Sequence, residues 1–64
     1  MITVNGERRD LDGATVAEVL QDVGAPDRGV AVAVDAEVVP RGEWATFVVP
    51  DEAHVEVVTA VQGG

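Results

Sequence analysis

Residues 15–24 read TVAEVLQDVG, and this stretch decides the fold because it encodes the helix on which the rest must pack. Thr15 and Glu18 have the spacing of a capping box, in which each side chain bonds the backbone N–H of the other residue. One apolar helical face follows at the i, i+3, i+4 and i+7 spacing, formed by Val16, Val19, Leu20 and Val23. Gly24 suits the left-handed end of the helix, and Pro26 prevents its continuation.

A β-hairpin is predicted before the helix. Residues 1–4, MITV, are a short run rich in β-branched residues, and Asn5-Gly6 follows it. Asn-Gly is a preferred pair for a two-residue hairpin turn because both positions need a positive φ. Residues 7–11 would be the return strand, at an edge or half-exposed, since only Leu11 among them is apolar.

Strands are also predicted after the helix. Residues 29–34 place valines on one face and alanines on the other, which is typical of a central strand or one covered on both sides. Residues 35–37 read as a turn, 38–39 and 47–49 as short strands, and 54–61 as a long last strand. In that strand one face carries Val55, Val57, Thr59 and Val61, and the other carries His54, Glu56, Val58 and Ala60.

A hairpin, one crossover helix and further strands predict an α+β fold, with a mixed sheet and one main helix packed across one face. This is the β-grasp arrangement. We expect one domain over residues 1–61 and a flexible C-terminal tail over residues 62–64. Trp44 is expected to anchor the loop after Pro40 in a partly buried position, and Arg41 to pair with an acidic neighbour.

Composition excludes several classes of function. The 64 residues carry twelve acidic side chains against four basic ones, all arginine, for a net charge of −8. A nucleic-acid or anionic-membrane partner is therefore not expected, whereas a protein with a basic docking surface is. No apolar stretch is long enough for a membrane span and no basic signal-peptide start is present, so we expect a cytoplasmic protein, monomeric when free.

Catalytic and metal-ligating side chains are scarce. The chain has no cysteine and no serine, and His54 is its one histidine, placed at the start of a strand on the solvent side. Nucleophilic catalysis needs a nucleophile beside a base, and no such pair is apparent. We therefore expect neither a catalytic residue nor a bound metal or cofactor, and a carrier rather than an enzyme.

The sequence ends in Gly63-Gly64, after the predicted last strand. Glycine costs the most conformational entropy to order, so a mobile tail is expected. A tail without side chains can enter a channel too narrow for a Cβ atom, and its terminal carboxylate is ionised at neutral pH. The pattern predicts that Gly64 is the reactive residue and that Gly63 is needed for passage.

Two segments carry most of a resemblance to a known family, and Asn5-Gly6 and the Thr15-Val16 helix start also match it, so that it covers essentially the whole chain. Residues 32–41, VAVDAEVVPR, followed by Glu43-Trp44, are similar to the central motif of ThiS-type sulfur carriers of thiazole synthesis, in the ubiquitin-like β-grasp superfamily. Residues 57–64, VVTAVQGG, resemble the C-terminal signature of that family. Residues 51–53, DEA, depart from the Asp-Gly-Asp usual in relatives, so another turn geometry is expected there.

The resemblance implies a co-substrate in thiamine biosynthesis. A ubiquitin-activating-like adenylyltransferase would use ATP to adenylate the Gly64 carboxylate, which is converted to a thiocarboxylate. Thiazole synthase would then take the sulfur. The alternatives are a carrier for molybdopterin or cysteine synthesis, a ubiquitin-like protein modifier, or a plain interaction module in which the glycines have no role.

The face of the sheet opposite the helix is the candidate partner surface. Val58 and Ala60, with Ala31 and Ala33 of the neighbouring strand, would form an exposed apolar patch there. Such patches on small proteins usually mark contact sites. Val58, Ala60 and Gln62 are the predicted partner-binding residues, and contact is favoured for Val58 because it lies near the tail. For the alanines, strand propensity is an equally good explanation.

Overall fold

The computed structural model describes residues 1–26 and 28–59. Ala60, Gln62, Gly63 and Gly64, together with the predicted domain boundary at residue 61, lie outside the described residues. The described elements are β1 (Ile2–Val4), β2 (Glu7–Arg9), α1 (Val16–Val23), β3 (Val30–Val34), β4 (Glu37–Val38), a 3-10 turn (Arg41–Glu43) and β5 (His54–Thr59).

Helix α1 has the ends that its sequence predicts. The Glu18 backbone N–H donates to Thr15 Oγ1 at 3.2 Å, and the Thr15 N–H donates to Glu18 Oε1 at 2.9 Å, so the capping box is confirmed. Gly24 follows the helix at φ 72°, in the left-handed region. Val16, Val19 and Leu20 are buried, which confirms the apolar face.

The five strands form one mixed sheet in the order β2-β1-β5-β3-β4. β1 and β5 are parallel, and the other neighbouring pairs are antiparallel. The predicted α+β fold with a mixed sheet and one helix is thus confirmed. β5, rather than the strand over residues 29–34, occupies the central position, because β1 pairs with β5 and leaves β3 second from an edge.

The core lies between α1 and one face of the sheet. Its fully buried members are Ile2, Val16, Val19, Val32, Val49 and Val55. No charged side chain of the described residues is buried. The apolar area that this face and the helix remove from water is the main stabilising contribution available to so small a chain.

Both short hairpin turns use two residues with positive φ. Asn5 and Gly6 lie at 51° and 83°, as predicted, and Asp35 and Ala36 lie at 51° and 72°. The predicted three-residue turn over residues 35–37 was therefore wrong, and β4 begins one residue earlier than expected. β2 is also shorter than predicted, since it ends at Arg9 and Leu11 packs against the core.

Residues 47–49 do not form the predicted strand of the sheet. Val48 makes an isolated bridge with Thr15, and the Val16 N–H donates to Phe47 O at 2.9 Å. The Val49 N–H donates to Ala14 O at 2.8 Å. The segment therefore satisfies backbone groups at the start of α1 instead of joining a strand.

Trp44 is more buried than predicted. Trp44 is 8% exposed, and its Nε1–H donates to Val39 O at 2.9 Å. The Arg41 guanidinium lies 5.9 Å from the centroid of that ring. The expectation of an acidic partner for Arg41 was wrong: the ion pairs of the described residues do not include it, and it stacks on Trp44 instead.

The turn before β5 lies beside the first residue of the chain. Glu52 has φ 65°, a conformation that glycine adopts without steric cost. The expectation that this turn differs from that of relatives stays a prediction. The Glu52 N–H donates to Met1 O at 2.8 Å. The Met1 α-amino group bonds Asp12 Oδ1 and, at 2.7 Å, Asp51 Oδ1, and these two hydrogen bonds raise its pKa to about 10.

Among the described residues, α1 is the one α-helix, and it is too short and not apolar enough to cross a bilayer.

Candidate functional site at the end of the central strand

The candidate site is the end of β5 from which the chain continues toward Gly64. β5 pairs with β3 over five residue pairs, from Val34 with Val55 to Val30 with Thr59. It pairs with β1 over only two, Thr3 with His54 and Val4 with Val55. The strand that carries the predicted reactive terminus is therefore held between two neighbours at its start and mainly by one at its end.

The side chain of Asn5 adds a contact on the β1 side of that end. Its Nδ2 donates to Val57 O at 3.1 Å, and its Oδ1 accepts from the Val57 N–H at 2.8 Å. The primary amide thus bonds both backbone groups of one residue, as a neighbouring strand would. Asn5 was predicted only as a turn residue, since nothing local in the sequence links it to a residue 52 positions away.

The face of the sheet opposite the helix carries an apolar patch. Ala31 pairs with Val58, and Ala33 pairs with both Val38 and Glu56. Val58 is 60% exposed and Val38 70% exposed. We call the cluster of Ala31, Ala33, Val38 and Val58 the open-face patch.

The strand faces predicted for β5 are confirmed where the structure describes them. Val55 is buried, Val57 is partly buried against the core, and Val58 is exposed. Val38 was missed as a member of the patch because the three-residue turn predicted at residues 35–37 left its register with Ala33 unassigned. Ala60 and Gln62, the other predicted partner-binding residues, fall outside the described part of the chain.

The surroundings of the open-face patch are mostly acidic. Glu56 shares this face with Ala33, and Asp35 lies nearby with His54 in a shallow depression. At the other edge of the sheet, Arg8 pairs with Thr3, which in turn pairs with His54. A complementary partner would therefore offer an apolar centre with basic groups beside it.

A groove of about 580 Å³ lies on the opposite side of the β5 end, between the Asn5-Gly6 turn and the end of α1. Arg9 lines this groove and binds Glu7 Oε1 at 3.0 Å and Asp22 Oδ2 at 2.9 Å. The Glu7 and Asp22 hydrogen bonds raise the pKa of Arg9 above its ordinary value. This guanidinium links β2 to the last turn of α1, so its charge is already balanced by two carboxylates.

Few side chains of the described residues could act as catalysts or metal ligands at this site. The described residues contain no group of three or more His, Cys, Asp or Glu side chains that could hold a metal ion. His54 is exposed, and its backbone N–H donates to Asp35 Oδ1 at 2.9 Å. Gly63 and Gly64, the predicted passage and reactive residues, lie outside the described residues, and their roles stay predictions.

Comparison with known proteins gives consistent matches. A model of the ThiS family matches residues 2–64. The sulfur carrier protein ThiS of Thermus thermophilus is 41% identical over 64 residues, covering 100% of both chains. The crystal structure of a thiamine biosynthesis protein (ThiS) from Geobacter metallireducens superposes with a TM-score of 0.78 at 30% identity, covering 98% of this chain and 97% of that one.

A third match is to part of a larger protein. A thiazole synthase of Paramagnetospirillum magneticum is 34% identical over an alignment of 64 positions, which covers 98% of this chain and 20% of that protein. A segment similar to this chain therefore forms about a fifth of that relative.

Proposed function

This chain belongs to the ThiS family, and from that premise we propose that it carries sulfur for thiamine biosynthesis as a thiocarboxylate on Gly64. The observation that carries the proposal is the match of a ThiS family model to residues 2–64, which include the Gly63-Gly64 terminus. The central position of β5 supports it, because the strand that leads to the terminus is anchored in the middle of the sheet. In this role the chain is a co-substrate and not a catalyst.

Loading takes two steps. The Gly64 carboxylate attacks the α-phosphorus of ATP, pyrophosphate leaves, and an acyl adenylate forms on a ubiquitin-activating-like adenylyltransferase. A sulfur donor at the oxidation level of hydrosulfide then displaces AMP and leaves the thiocarboxylate. The chain supplies the carboxylate, while ATP and the catalytic groups belong to the activating enzyme. A cytoplasmic location is part of this proposal.

Gly63 serves the entry of the carboxylate into that enzyme. A residue without a Cβ atom fits a channel that closes around the backbone, and it adopts φ values that other residues avoid. The chain itself needs no cofactor for this, because the reacting atoms are those of its own terminus.

The open-face patch is the proposed docking surface for the adenylyltransferase and for thiazole synthase. Val58 is its member nearest the terminus, and Ala60 and Gln62 follow it in sequence. The thiazole synthase relative supports the second partner, since it contains a segment similar to this chain. Glu56 beside the patch favours partners with a basic rim, because complementary charge accelerates encounter.

Intact-mass measurement tests the proposal. The chain is incubated with ATP, a sulfur donor and the cognate adenylyltransferase, and the expected product is heavier by one oxygen-to-sulfur exchange. A chain lacking Gly64 should show no such product, while its thermal unfolding stays that of the full chain. Sulfur loading of the shortened chain would show that Gly64 is not the reactive residue.

A further inference from the structure

Asn5 holds the last part of β5 on the side where β1 has already turned away. The carbonyls of Ala53 and Val55 accept from the backbone N–H groups of Thr3 and Asn5, at 3.0 and 2.9 Å. Backbone groups of alternate residues point to the same neighbouring strand, so Val57 is next in this series. β1 cannot supply its partners, because the backbone enters the hairpin turn at Asn5 with φ 51°.

The Asn5 side chain replaces that missing stretch of strand. It donates to Val57 O and accepts from the Val57 N–H, so both backbone groups of Val57 are satisfied across 52 residues of sequence. On the other side, β3 pairs with Val57, Val58 and Thr59. The Asn5 amide therefore keeps the end of β5 between two neighbours, seven residues before Gly64.

We propose that Asn5 is a positioning residue for loading: by holding the Val57 backbone, it sets the direction in which the chain leaves the sheet toward Gly64. The inference rests on the proposed function, since direction matters only if the terminus must reach a partner's active site. Without the amide, the end of β5 is paired on the β3 side alone and loses order. That order must then be regained each time the terminus enters the enzyme, which slows loading.

The residue type fits this role. An amide has both a donor and an acceptor, aspartate has only acceptors at neutral pH, and glycine has neither. All three tolerate the positive φ of this turn position, so Asn5→Asp and Asn5→Gly change the contact and preserve the turn.

Asp35 provides a matched control. It also lies at φ 51° as the first residue of a two-residue turn, and its Oδ1 accepts from the His54 N–H at 2.9 Å. Asp35→Gly thus removes a side-chain bond to the backbone of the same strand, but at the start of β5. A merely structural role for Asn5 would make the two glycine variants equivalent in loading.

Two measurements on the full chain test the inference. Amide hydrogen exchange by NMR should show the Val57 amide exchanging about five to ten times faster in Asn5→Gly than in the wild type, and unchanged in Asp35→Gly. With ATP and the cognate adenylyltransferase, kcat/KM for pyrophosphate release should fall about tenfold from the wild type in Asn5→Gly. Asp35→Gly should stay within about twofold of Asp35→Asn, the proper reference because it loses the same charge and keeps the acceptor oxygen. Asn5→Asp, which keeps only the acceptor, should fall between Asn5→Gly and the wild type.

Equal loss of kcat/KM in Asn5→Gly and Asp35→Gly would overturn the inference, as would faster exchange at Val57 with unchanged pyrophosphate release. If Asn5→Gly does not fold, Asn5→Asp is the test variant. A kcat/KM for Asn5→Asp equal to that of the wild type would then refute the positioning role. A wild-type chain that releases no pyrophosphate refutes the proposed function and the inference together. That result is distinguishable because every variant would then be equally inactive.

Discussion

Val58→Asp measures how much the open-face patch contributes to partner binding. Val58 is 60% exposed, so a partner can remove that fraction of the side chain from water. Full burial of a valine side chain is worth about 1.5 kcal/mol or more, and 60% of that value is about 1 kcal/mol. Because 1.4 kcal/mol corresponds to tenfold and alanine keeps the Cβ atom, Val58→Ala should weaken binding by up to about fivefold.

Val58→Asp should weaken partner binding more than Val58→Ala does. It places a carboxylate in the apolar patch, on the same face as Glu56, and a partner would have to desolvate that charge. We expect the Kd for the adenylyltransferase and for thiazole synthase to rise by more than about tenfold. Titration calorimetry with each enzyme measures this, with thermal unfolding as the check on the fold.

Val48→Asp is the matched control because Val48 is 57% exposed and lies outside the open-face patch, in the segment that bridges Thr15. Its affinity for both enzymes should equal that of the wild type. If Val58→Asp binds both enzymes as tightly as Val48→Asp does, the open-face patch is not the docking surface and the reasoning is refuted.

Three further outcomes are expected. Gly63→Val should keep the thermal stability of the wild type, since changes at chain termini are usually tolerated, and should abolish adenylation; unfolding with retained loading would reverse that assignment. Ala36→Gly should raise the free energy of unfolding by about 0.5–1 kcal/mol, because Ala36 lies at φ 72°, and a lower melting temperature would contradict this. In the 64-residue chain the hydrogen bonds to Asp12 and then Asp51 raise the pKa of the Met1 α-amino group from 8.0 to about 10. The charged amino group therefore stabilises the fold fully below pH 8, and this contribution is lost as the pH rises toward 10. A pH titration of stability should therefore show a decline over that range that is smaller in Asp12→Asn.

Much of the fold could be predicted because the deciding interactions are local. The capping box joins Thr15 and Glu18, three residues apart, and Gly24 ends the helix in the left-handed conformation. The alternation of β5 placed Val58 on the exposed face, since successive side chains of a strand point to opposite faces. The Gly63-Gly64 terminus can be recognised from the sequence alone.

The tertiary structure decided which segments meet. β5 lies between β1 and β3, residues 47–49 bind the start of α1, and Arg41 stacks on Trp44. Each of these contacts competes with other pairings that the same local pattern permits. The outcome depends on which arrangement buries the valine faces against the helix, and a pattern of neighbouring residues does not contain that information.

The Asn5 amide illustrates the same division. Asn-Gly predicts the turn because its two residues tolerate positive φ, a property of the backbone at that point. The bonds from Asn5 to Val57 exist only because the parallel pairing of β1 with β5 brings the turn beside the end of the central strand. Local chemistry determines the elements and the terminus of this chain, whereas the packing of distant strands determines what holds and surrounds the strand leading to that terminus.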